Sequence, residues 1–363
     1  MYITSRMMTS KDDMKAVFVT SRAGKLEGNL LFVYEELKKQ LPYTKIHFVH
    51  ANNKMNLSMF KEIISLSNTR YLIIDDYYLP IYLIKPSAHL KVIQLWHAAG
   101  AFKKFGYSTV GTKFGPDPSY LKRVPVHSNY THVYVSAEKF IQNYAEAFNM
   151  SAANIFPYGL PRIDFFNDTE KKACFKKNVY ETYPILGKDD SINILIAPTY
   201  RANKKYGEST SEFTQNVLNV ISRLNEDILI IFKSHPYTSK KDLSILRDCS
   251  NVIIADDYSI NEWMVVSDAF VTDYSSAIFE YALLKRPLAH FVPDYEEYST
   301  NRGFYSTIDD ISDGAILKDE NALIEWLNSR TKNEYFNTLR MIDYNFDYTE
   351  NISSRIVKHF TMK

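Results

Sequence analysis

The chain has 363 residues, too many for a single hydrophobic core, so two domains are expected. A net charge of +1 creates no overall field that would select nucleic acid. Two cysteines, Cys174 and Cys249, are too few for a disulfide framework, and no apolar run approaches the roughly 20 residues of a membrane span. The N-terminal stretch does not resemble a signal peptide, because Arg6, Lys11, Asp12 and Asp13 precede its first apolar run. A cytoplasmic location is therefore expected.

Short apolar runs alternate with helical patterns along the first half of the chain. Strands are predicted at 16–20, 45–49, 71–75, 91–96 and 131–135. Helices are predicted at 29–40, 59–67 and 137–148. Because strands and helices alternate, the pattern predicts a parallel sheet covered on both faces.

A stretch rich in Pro and Gly, 155–164, precedes a second series of the same kind. Its strands are predicted at 192–197, 228–233, 251–255, 268–272 and 288–292, and its helices at 213–224, 260–266, 322–328 and 351–360. The predicted domains are therefore 1–165 and 166–363. The last predicted helix, 351–360, is a candidate for packing against the first domain. Ligands of such folds bind beyond the carboxyl ends of the strands, so a cleft between the two domains is the expected site.

One long stretch, 102–129, has little periodicity and is predicted to be a mobile loop or a surface helix at an interface. It places five basic residues among aromatic ones, which favours contact with an anionic membrane surface. These residues are Lys103, Lys104, Lys113, Lys122 and Arg123.

The stretch V-T-D-Y-S-S-A-I-F-E-Y-A-L-L-K-R-P-L, 271–288, predicts a strand, a sharp turn and a helix. A helix that begins directly after a strand offers free N–H groups and a partial positive charge, which suit a phosphate. Asp273, Ser275 and Ser276 form the turn, and Glu280 follows in the first turns of the helix. An ordinary capped helix is the alternative interpretation.

Further polar residues lie at or just beyond predicted strand ends. His97 is followed by Ala98-Ala99-Gly100, which leaves room for a substrate, and its ordinary pKa suits a general base. The alternative is a structural histidine bonded to the backbone. His235 is the second candidate catalytic residue, because it can donate a hydrogen bond to a phosphate oxygen or, when charged, offset developing negative charge. The other candidates for substrate binding are Gly100, Thr199, Arg201, Lys233 and Arg302.

Several common signatures are missing from the sequence. It contains no G-x-G-x-x-G, Walker A or G-x-S-x-G pattern, no D-x-D, and no His/Cys/carboxylate cluster with metal-ligand spacing. No cofactor is therefore expected to be required, although a divalent cation on a substrate diphosphate is compatible with the sequence.

Six motifs occur in a specific order: Q-L-W-H-A-A-G-A-F-K-K-F-G, Y-G-L-P-R-I-D, A-P-T-Y-R, S-H-P-Y, the 271–287 stretch, and D-Y-E-E-Y-S-T-N-R-G-F-Y. Together they resemble the CDP-glycerol:poly(glycerol phosphate) glycerophosphotransferases of teichoic-acid and capsule synthesis. The resemblance implies a GT-B-type α/β fold, with two Rossmann-like domains facing a central cleft. It also implies that His97 is the base, that His235 and the 273–276 turn bind the donor diphosphate, and that Glu280 binds the ribose.

The resemblance implies a transferase that moves a polyol phosphate from a CDP-polyol to a lipid-linked acceptor and releases CMP, peripherally at the inner membrane face. Many glycerol-phosphate members have W-H-G-T where this chain has Trp96-His97-Ala98-Ala99. The variant is more similar to ribitol-phosphate members or capsule polymerases, and both polyols stay open. Two other functions stay open as well: a glycosyltransferase or sugar-nucleotide epimerase on the same fold, and a non-catalytic membrane scaffold. The sequence leaves the oligomeric state undetermined.

Overall fold

The computed structural model describes residues 2–20, 25–113, 115–199, 211–234 and 240–362. These residues form two compact units. The first unit comprises Met1–Asp164, Thr300–Ser306 and Asn345–Lys363, and the second comprises Phe165–Ser299 and Thr307–Tyr344.

The strands, in chain order, are β1 Lys15–Thr20, β2 Lys45–His50, β3 Tyr71–Ile74, β4 Lys91–Gln94, β5 His132–Tyr134, β6 Ile155–Phe156, β7 Ile192–Ile196, β8 Ile228–Phe232, β9 Val252–Ile254, β10 Ala269–Thr272, β11 Leu288–Phe291 and β12 Ala315–Leu317. The helices are α1 Tyr2–Met8, α2 Gly28–Gln40, α3 Leu57–Ser65, α4 Leu79–Tyr82, α5 Pro118–Arg123, α6 Ile141–Phe148, α7 Thr169–Thr182, α8 Ser211–Ile221, α9 Lys240–Arg247, α10 Ile260–Val266, α11 Ala277–Tyr281, α12 Tyr295–Arg302, α13 Ile308–Ile311, α14 Glu320–Asn328, α15 Leu339–Asn345 and α16 Ile352–Thr361.

The first unit contains a six-stranded sheet in the order β2-β1-β3-β4-β5-β6. Every neighbouring pair of strands in it is parallel. The strand order reverses between β1 and β3, which is the position where open α/β sheets bind ligands. Ligands of such sheets bind beyond the carboxyl ends of the strands, and His97 lies in the loop that follows the carboxyl end of β4.

The last helix of the chain, α16, belongs to the first unit. The Asp164 carboxylate accepts hydrogen bonds from the N–H groups of Ile352 and Ser353 at 2.9 and 2.8 Å. At the other end of the helix, the Lys91 ammonium donates to the Phe360 carbonyl at 2.7 Å. An acidic group at the N-terminus and a cation at the C-terminus both complement the helix dipole, so both ends of α16 are stabilised where it lies.

The second unit contains a parallel sheet in the order β12-β11-β10-β7-β8-β9. Every residue of β7 and β8 is buried, as expected for central strands whose two faces are both covered. The order reverses between β7 and β10, so the loops after these two strands flank the switch point. The prediction of parallel α/β sheets is confirmed in both units.

The 102–129 segment contains a short 3₁₀ turn at Gly106–Thr109 and the helix α5. None of the α5 residues is buried, and Tyr120, Lys122 and Arg123 are exposed on it. Within the described ranges, no helix is both long and apolar enough to cross a membrane.

Candidate active site

His97 is held by an irregular turn at the end of β4. Trp96 adopts a left-handed φ of 51°, which is uncommon for a bulky residue and indicates local constraint. Its N–H donates to Gln94 Oε1 at 2.8 Å, and its carbonyl accepts from the Asn29 side chain at 2.8 Å. The Arg162 guanidinium donates to the His97 carbonyl at 3.0 Å. The turn is thus tied to the body of the first unit on several sides.

The imidazole of His97 has a defined tautomer in its neutral form. Nδ1 lies 2.9 Å from the backbone carbonyl oxygen of Asp75, at the end of β3. Because a carbonyl only accepts, Nδ1 carries the proton and Nε2 is the basic atom. The ring also stacks on Trp96, with centroids 4.3 Å apart. A partly exposed imidazole oriented in this way can take a proton from a substrate hydroxyl.

Gly100 allows the turn after His97 to close. Its φ of 65° lies in the left-handed region that favours glycine. Its N–H donates to Ser136 Oγ at 2.8 Å, and its carbonyl accepts from the Tyr144 hydroxyl at 3.2 Å. This geometry gives Gly100 a conformational role in shaping the His97 loop.

Sequence reasoning missed a second histidine in this region. His127 is buried, and burial lowers its pKa to about 4, so it is neutral near pH 7. Its Nδ1 lies 3.1 Å from the Tyr130 hydroxyl, and its ring contacts Trp96 edge-on with centroids 5.8 Å apart. His127 therefore supports the aromatic surroundings of His97 without adding charge. A lone histidine in an irregular segment gives no signal that could have identified it.

In the second unit, two candidate residues bond each other at the switch point of the sheet. The Asp273 carboxylate accepts from the Thr199 N–H at 2.9 Å and from its hydroxyl at 2.8 Å. Thr199 follows β7 and Asp273 follows β10, so the pair joins the two strand ends where the strand order reverses. Asp273 is fully buried, so in this structure its carboxylate organises the loops.

The turn after β10 is supported from behind by His290, another residue that sequence reasoning missed. His290 Nδ1 lies 2.8 Å from the Asp273 carbonyl, and its Nε2 lies 2.9 Å from Ser312 Oγ. The side chain is fully buried on β11, and burial lowers its pKa to about 4. The sequence did contain a signal for His290, because it is a polar residue inside the otherwise apolar strand Leu288–Phe291.

Ser275 and Ser276 are the partly exposed residues of this turn, between buried neighbours on both sides. Ser275 Oγ accepts from the Ala277 N–H at 3.2 Å at the start of α11. Glu280, one turn further, is fully buried and accepts from the Asn261 side chain at 2.7 Å. The turn therefore places two hydroxyl-bearing residues at the switch point.

The remaining candidates differ in their surroundings. The Lys233 ammonium donates to the carbonyls of Ala255 and Tyr258 at 2.6 and 2.7 Å, which ties the end of β8 to the loop after β9. Arg302 belongs to the first unit and lines a pocket there. Arg201 and His235 lie outside the described residues, so their roles stay predictions. Within the described ranges, no group of three or more His, Cys, Asp or Glu side chains is placed to hold a metal ion.

Each of the two units contains a parallel six-stranded sheet with polar side chains at the carboxyl ends of its strands, as do the domains of a GT-B-type α/β fold. The solved structure of the wall teichoic acid polymerase TagF has this fold and matches with a TM-score of 0.79, covering 99% of this chain and 91% of the other at 22% identity. That likeness confirms the predicted fold class.

The chain belongs to the CDP-glycerol:poly(glycerophosphate) glycerophosphotransferase family, whose sequence profile matches residues 1–359. Among its relatives is a teichoic acid ribitol-phosphate primase of Bacillus spizizenii, 37% identical over 324 residues, which are 87% of this chain and 82% of that protein. A teichoic acid poly(ribitol-phosphate) polymerase of the same species is 35% identical over 343 residues, 92% of this chain and 53% of that protein. The family predicted from the motifs is confirmed, and the chain is a CDP-polyol phosphotransferase. Membership does not favour the glycosyltransferase, epimerase or scaffold alternatives.

Proposed function

We propose that the chain transfers ribitol phosphate from CDP-ribitol to a hydroxyl group of a lipid-linked teichoic-acid acceptor and releases CMP. The observation that carries this choice of polyol is the similarity to the ribitol-phosphate primase, at 37% identity over most of both chains. The Ala98-Ala99-Gly100 sequence after the histidine supports the same choice, since many glycerol-phosphate members have Gly directly there.

In this proposal the acceptor hydroxyl is bound by the first unit and gives its proton to His97 Nε2. The hydroxyl oxygen attacks the phosphorus that carries ribitol, the bond from this phosphorus to the bridging oxygen breaks, and CMP leaves with that oxygen. The Asp75 carbonyl, 2.9 Å from Nδ1, keeps the ring in the required tautomer and stabilises the imidazolium that forms.

We assign the donor to the second unit. Ser275 and Ser276 are proposed to donate hydrogen bonds to the diphosphate, and Thr199 with Asp273 to hold this turn in place. Glu280 is proposed to bond the ribose hydroxyls, after rearrangement of its buried bond with Asn261. Arg201 and His235 are assigned to the diphosphate charge on the motif resemblance, and Lys233 on its position at the end of β8.

The enzyme is further proposed to act at the cytoplasmic face of the membrane, as a peripheral protein. The support is the 102–129 segment, whose helix α5 has no buried residue and exposes Tyr120 beside Lys122 and Arg123. Aromatic and basic side chains together suit the headgroup region of an anionic bilayer.

The test offers CDP-ribitol and CDP-glycerol in parallel with a lipid-linked acceptor analogue and measures CMP. We expect acceptor-dependent CMP release from CDP-ribitol, at a kcat/KM at least tenfold above that for CDP-glycerol. Turnover of CDP-glycerol alone would overturn the choice of polyol. Turnover of a nucleotide sugar in place of both CDP-polyols would overturn the proposed reaction.

A further inference from the structure

A pocket of ≈ 330 Å³ lies within the first unit, between the 102–129 segment and the loop after β3. Its volume is within the range of small-molecule sites, about 300–1,000 Å³. Aromatic rings form much of its wall, from Tyr77, Phe105, Tyr107 and Tyr120. The hydroxyls of Tyr77 and Tyr120 lie 2.8 Å apart, which links the loop after β3 to α5.

Among the described residues that line this pocket, Arg302 is the one that carries a charge near pH 7. His127 also lines it, and its pKa of about 4 keeps it neutral. Burial raises the pKa of Tyr77 and of Tyr107, so their phenol groups stay protonated and can donate. The pocket therefore offers one guanidinium cation and several neutral hydroxyl donors, which is the chemistry that recognises an anion.

The guanidinium of Arg302 has unused hydrogen-bonding capacity. Its Nε is buried, and no atom of the described residues accepts a hydrogen bond from it. The backbone after it is held firmly: Lys104 N–H donates to the Gly303 carbonyl at 3.1 Å, and Tyr305 N–H donates to the Phe102 carbonyl at 2.8 Å. Because buried N–H groups in native proteins are nearly always paired, a ligand oxygen is a natural partner for this one.

The pocket also adjoins the His97 turn. Phe105, one of its walls, stacks on Trp96 with centroids 5.3 Å apart, and Trp96 stacks on His97 at 4.3 Å. His127, another wall, contacts the same Trp96 ring. The aromatic rings of Phe105, His127 and Trp96 therefore lie between a ligand in the pocket and His97, all within the first unit.

We infer that this pocket binds a phosphodiester of the acceptor chain, with Arg302 on the phosphate and the tyrosines against the carbon skeleton. This inference rests on the proposed function, in which the acceptor is a polyol-phosphate chain on a lipid. The sequence predicted a substrate-binding role for Arg302, and this inference assigns that role to the acceptor. Guanidinium groups bind phosphate oxygens in pairs, so Arg302 sets the position of the acceptor and leaves its terminal hydroxyl for His97.

The test measures separate KM values for CDP-ribitol and for an acceptor analogue bearing one phosphodiester, in the wild type, Arg302→Ala, Arg302→Lys and Arg6→Ala. Arg6 is an exposed arginine of α1 in the same unit, so its variant controls for loss of one positive charge. We expect Arg302→Ala to raise the acceptor KM by about 10- to 100-fold, as for loss of a hydrogen bond to a charged group. Arg302→Lys should be intermediate, and the donor KM should change less than twofold.

A second acceptor analogue, with the phosphodiester replaced by a neutral methylphosphonate, completes the experiment. The wild type should bind it more weakly than the anionic analogue, whereas Arg302→Ala should bind both alike. If Arg302→Ala is inactive, calorimetric titration of both analogues without donor gives the same comparison. A rise in donor KM with an unchanged acceptor KM would overturn the assignment. Absence of CMP release by the wild type and Arg6→Ala would instead overturn the proposed function, while the binding comparison would still test the pocket.

Discussion

Replacement of His97 separates its chemical role from its structural one, because two contacts of the ring can be retained one at a time. Nδ1 donates to the Asp75 carbonyl at 2.9 Å, and the ring stacks on Trp96 with centroids 4.3 Å apart. His97→Asn places an amide N–H near the position of Nδ1 and keeps the first contact. His97→Phe loses that hydrogen bond but keeps an aromatic ring that can stack on Trp96. Neither side chain can accept a proton near neutral pH.

The expected magnitudes distinguish the two roles. One hydrogen bond contributes about 0.5–1.5 kcal/mol net to the free energy of unfolding, and one aromatic pair contributes about as much. Each variant should therefore lose little stability. Loss of a general base costs about 10²–10⁴ in rate, or about 2.7–5.4 kcal/mol at 1.36 kcal/mol per tenfold change. Both variants should therefore lose kcat by a similar large factor, although they retain different contacts.

The assay is CMP release at saturating CDP-ribitol and acceptor, with urea unfolding of each variant as the control for folding. Donor KM should stay within about twofold of the wild type, because the donor is assigned to the second unit. In the wild type, kcat should fall at low pH as the base becomes protonated, and both variants should lose this fall from their pH profiles of kcat. A His97→Asn enzyme with nearly wild-type kcat, beside a defective His97→Phe, would show that the bond to Asp75 matters and that the base is another residue.

Three further predictions concern the turn, the pH response and the membrane. Ser275→Ala with Ser276→Ala should raise the donor KM, since hydrogen bonds to a charged group are worth about 1.5–3 kcal/mol each; an unchanged donor KM would contradict their assignment. His290, with a native pKa of about 4, takes up its proton at higher pH in the unfolded chain, so the unfolding free energy falls as pH drops below about 6.5. Between pH 7 and pH 5 the wild type should lose about 2 kcal/mol more than His290→Asn in urea unfolding, and equal losses would show that His290 does not cause the response. Lys122→Glu with Arg123→Glu should abolish flotation with anionic vesicles at low salt, and unchanged flotation would exclude α5 as the contact.

Much of the fold could be predicted because its central strands are continuous apolar runs. The stretches at 192–197 and 228–233 stand out in the sequence, and the structure places β7 and β8 there with every residue buried. β6 and β12 were not predicted: β6 has two residues, too few for a periodic pattern, and β12 is a run of three apolar residues between Gly314 and Lys318. α7 was missed for another reason: it buries only Phe175 and Val179 over 14 residues, so its apolar stripe is weak.

The site could be predicted only in part, because position at a strand end is visible in a sequence and pairing between side chains is not. Thr199 and Asp273 were both selected as substrate-binding residues, and the structure shows that they bond each other across the switch point. That contact depends on β7 and β10 being neighbours, and they are more than seventy residues apart in the chain. Strand order is a property of the whole sheet, and no local motif encodes it.

The three buried or half-buried histidines around the two turns differ in a way that supports His97 as the proposed base. His97 and His290 each place Nδ1 against a backbone carbonyl at a neighbouring strand end, at 2.9 and 2.8 Å. In His290 the other nitrogen bonds Ser312 within a fully buried side chain, and His127 is buried among aromatic rings. Burial lowers the pKa of both to about 4, so they stay neutral and cannot exchange a proton with a substrate without disrupting the core. His97 combines the same carbonyl-held tautomer with partial exposure, and a general base needs both properties.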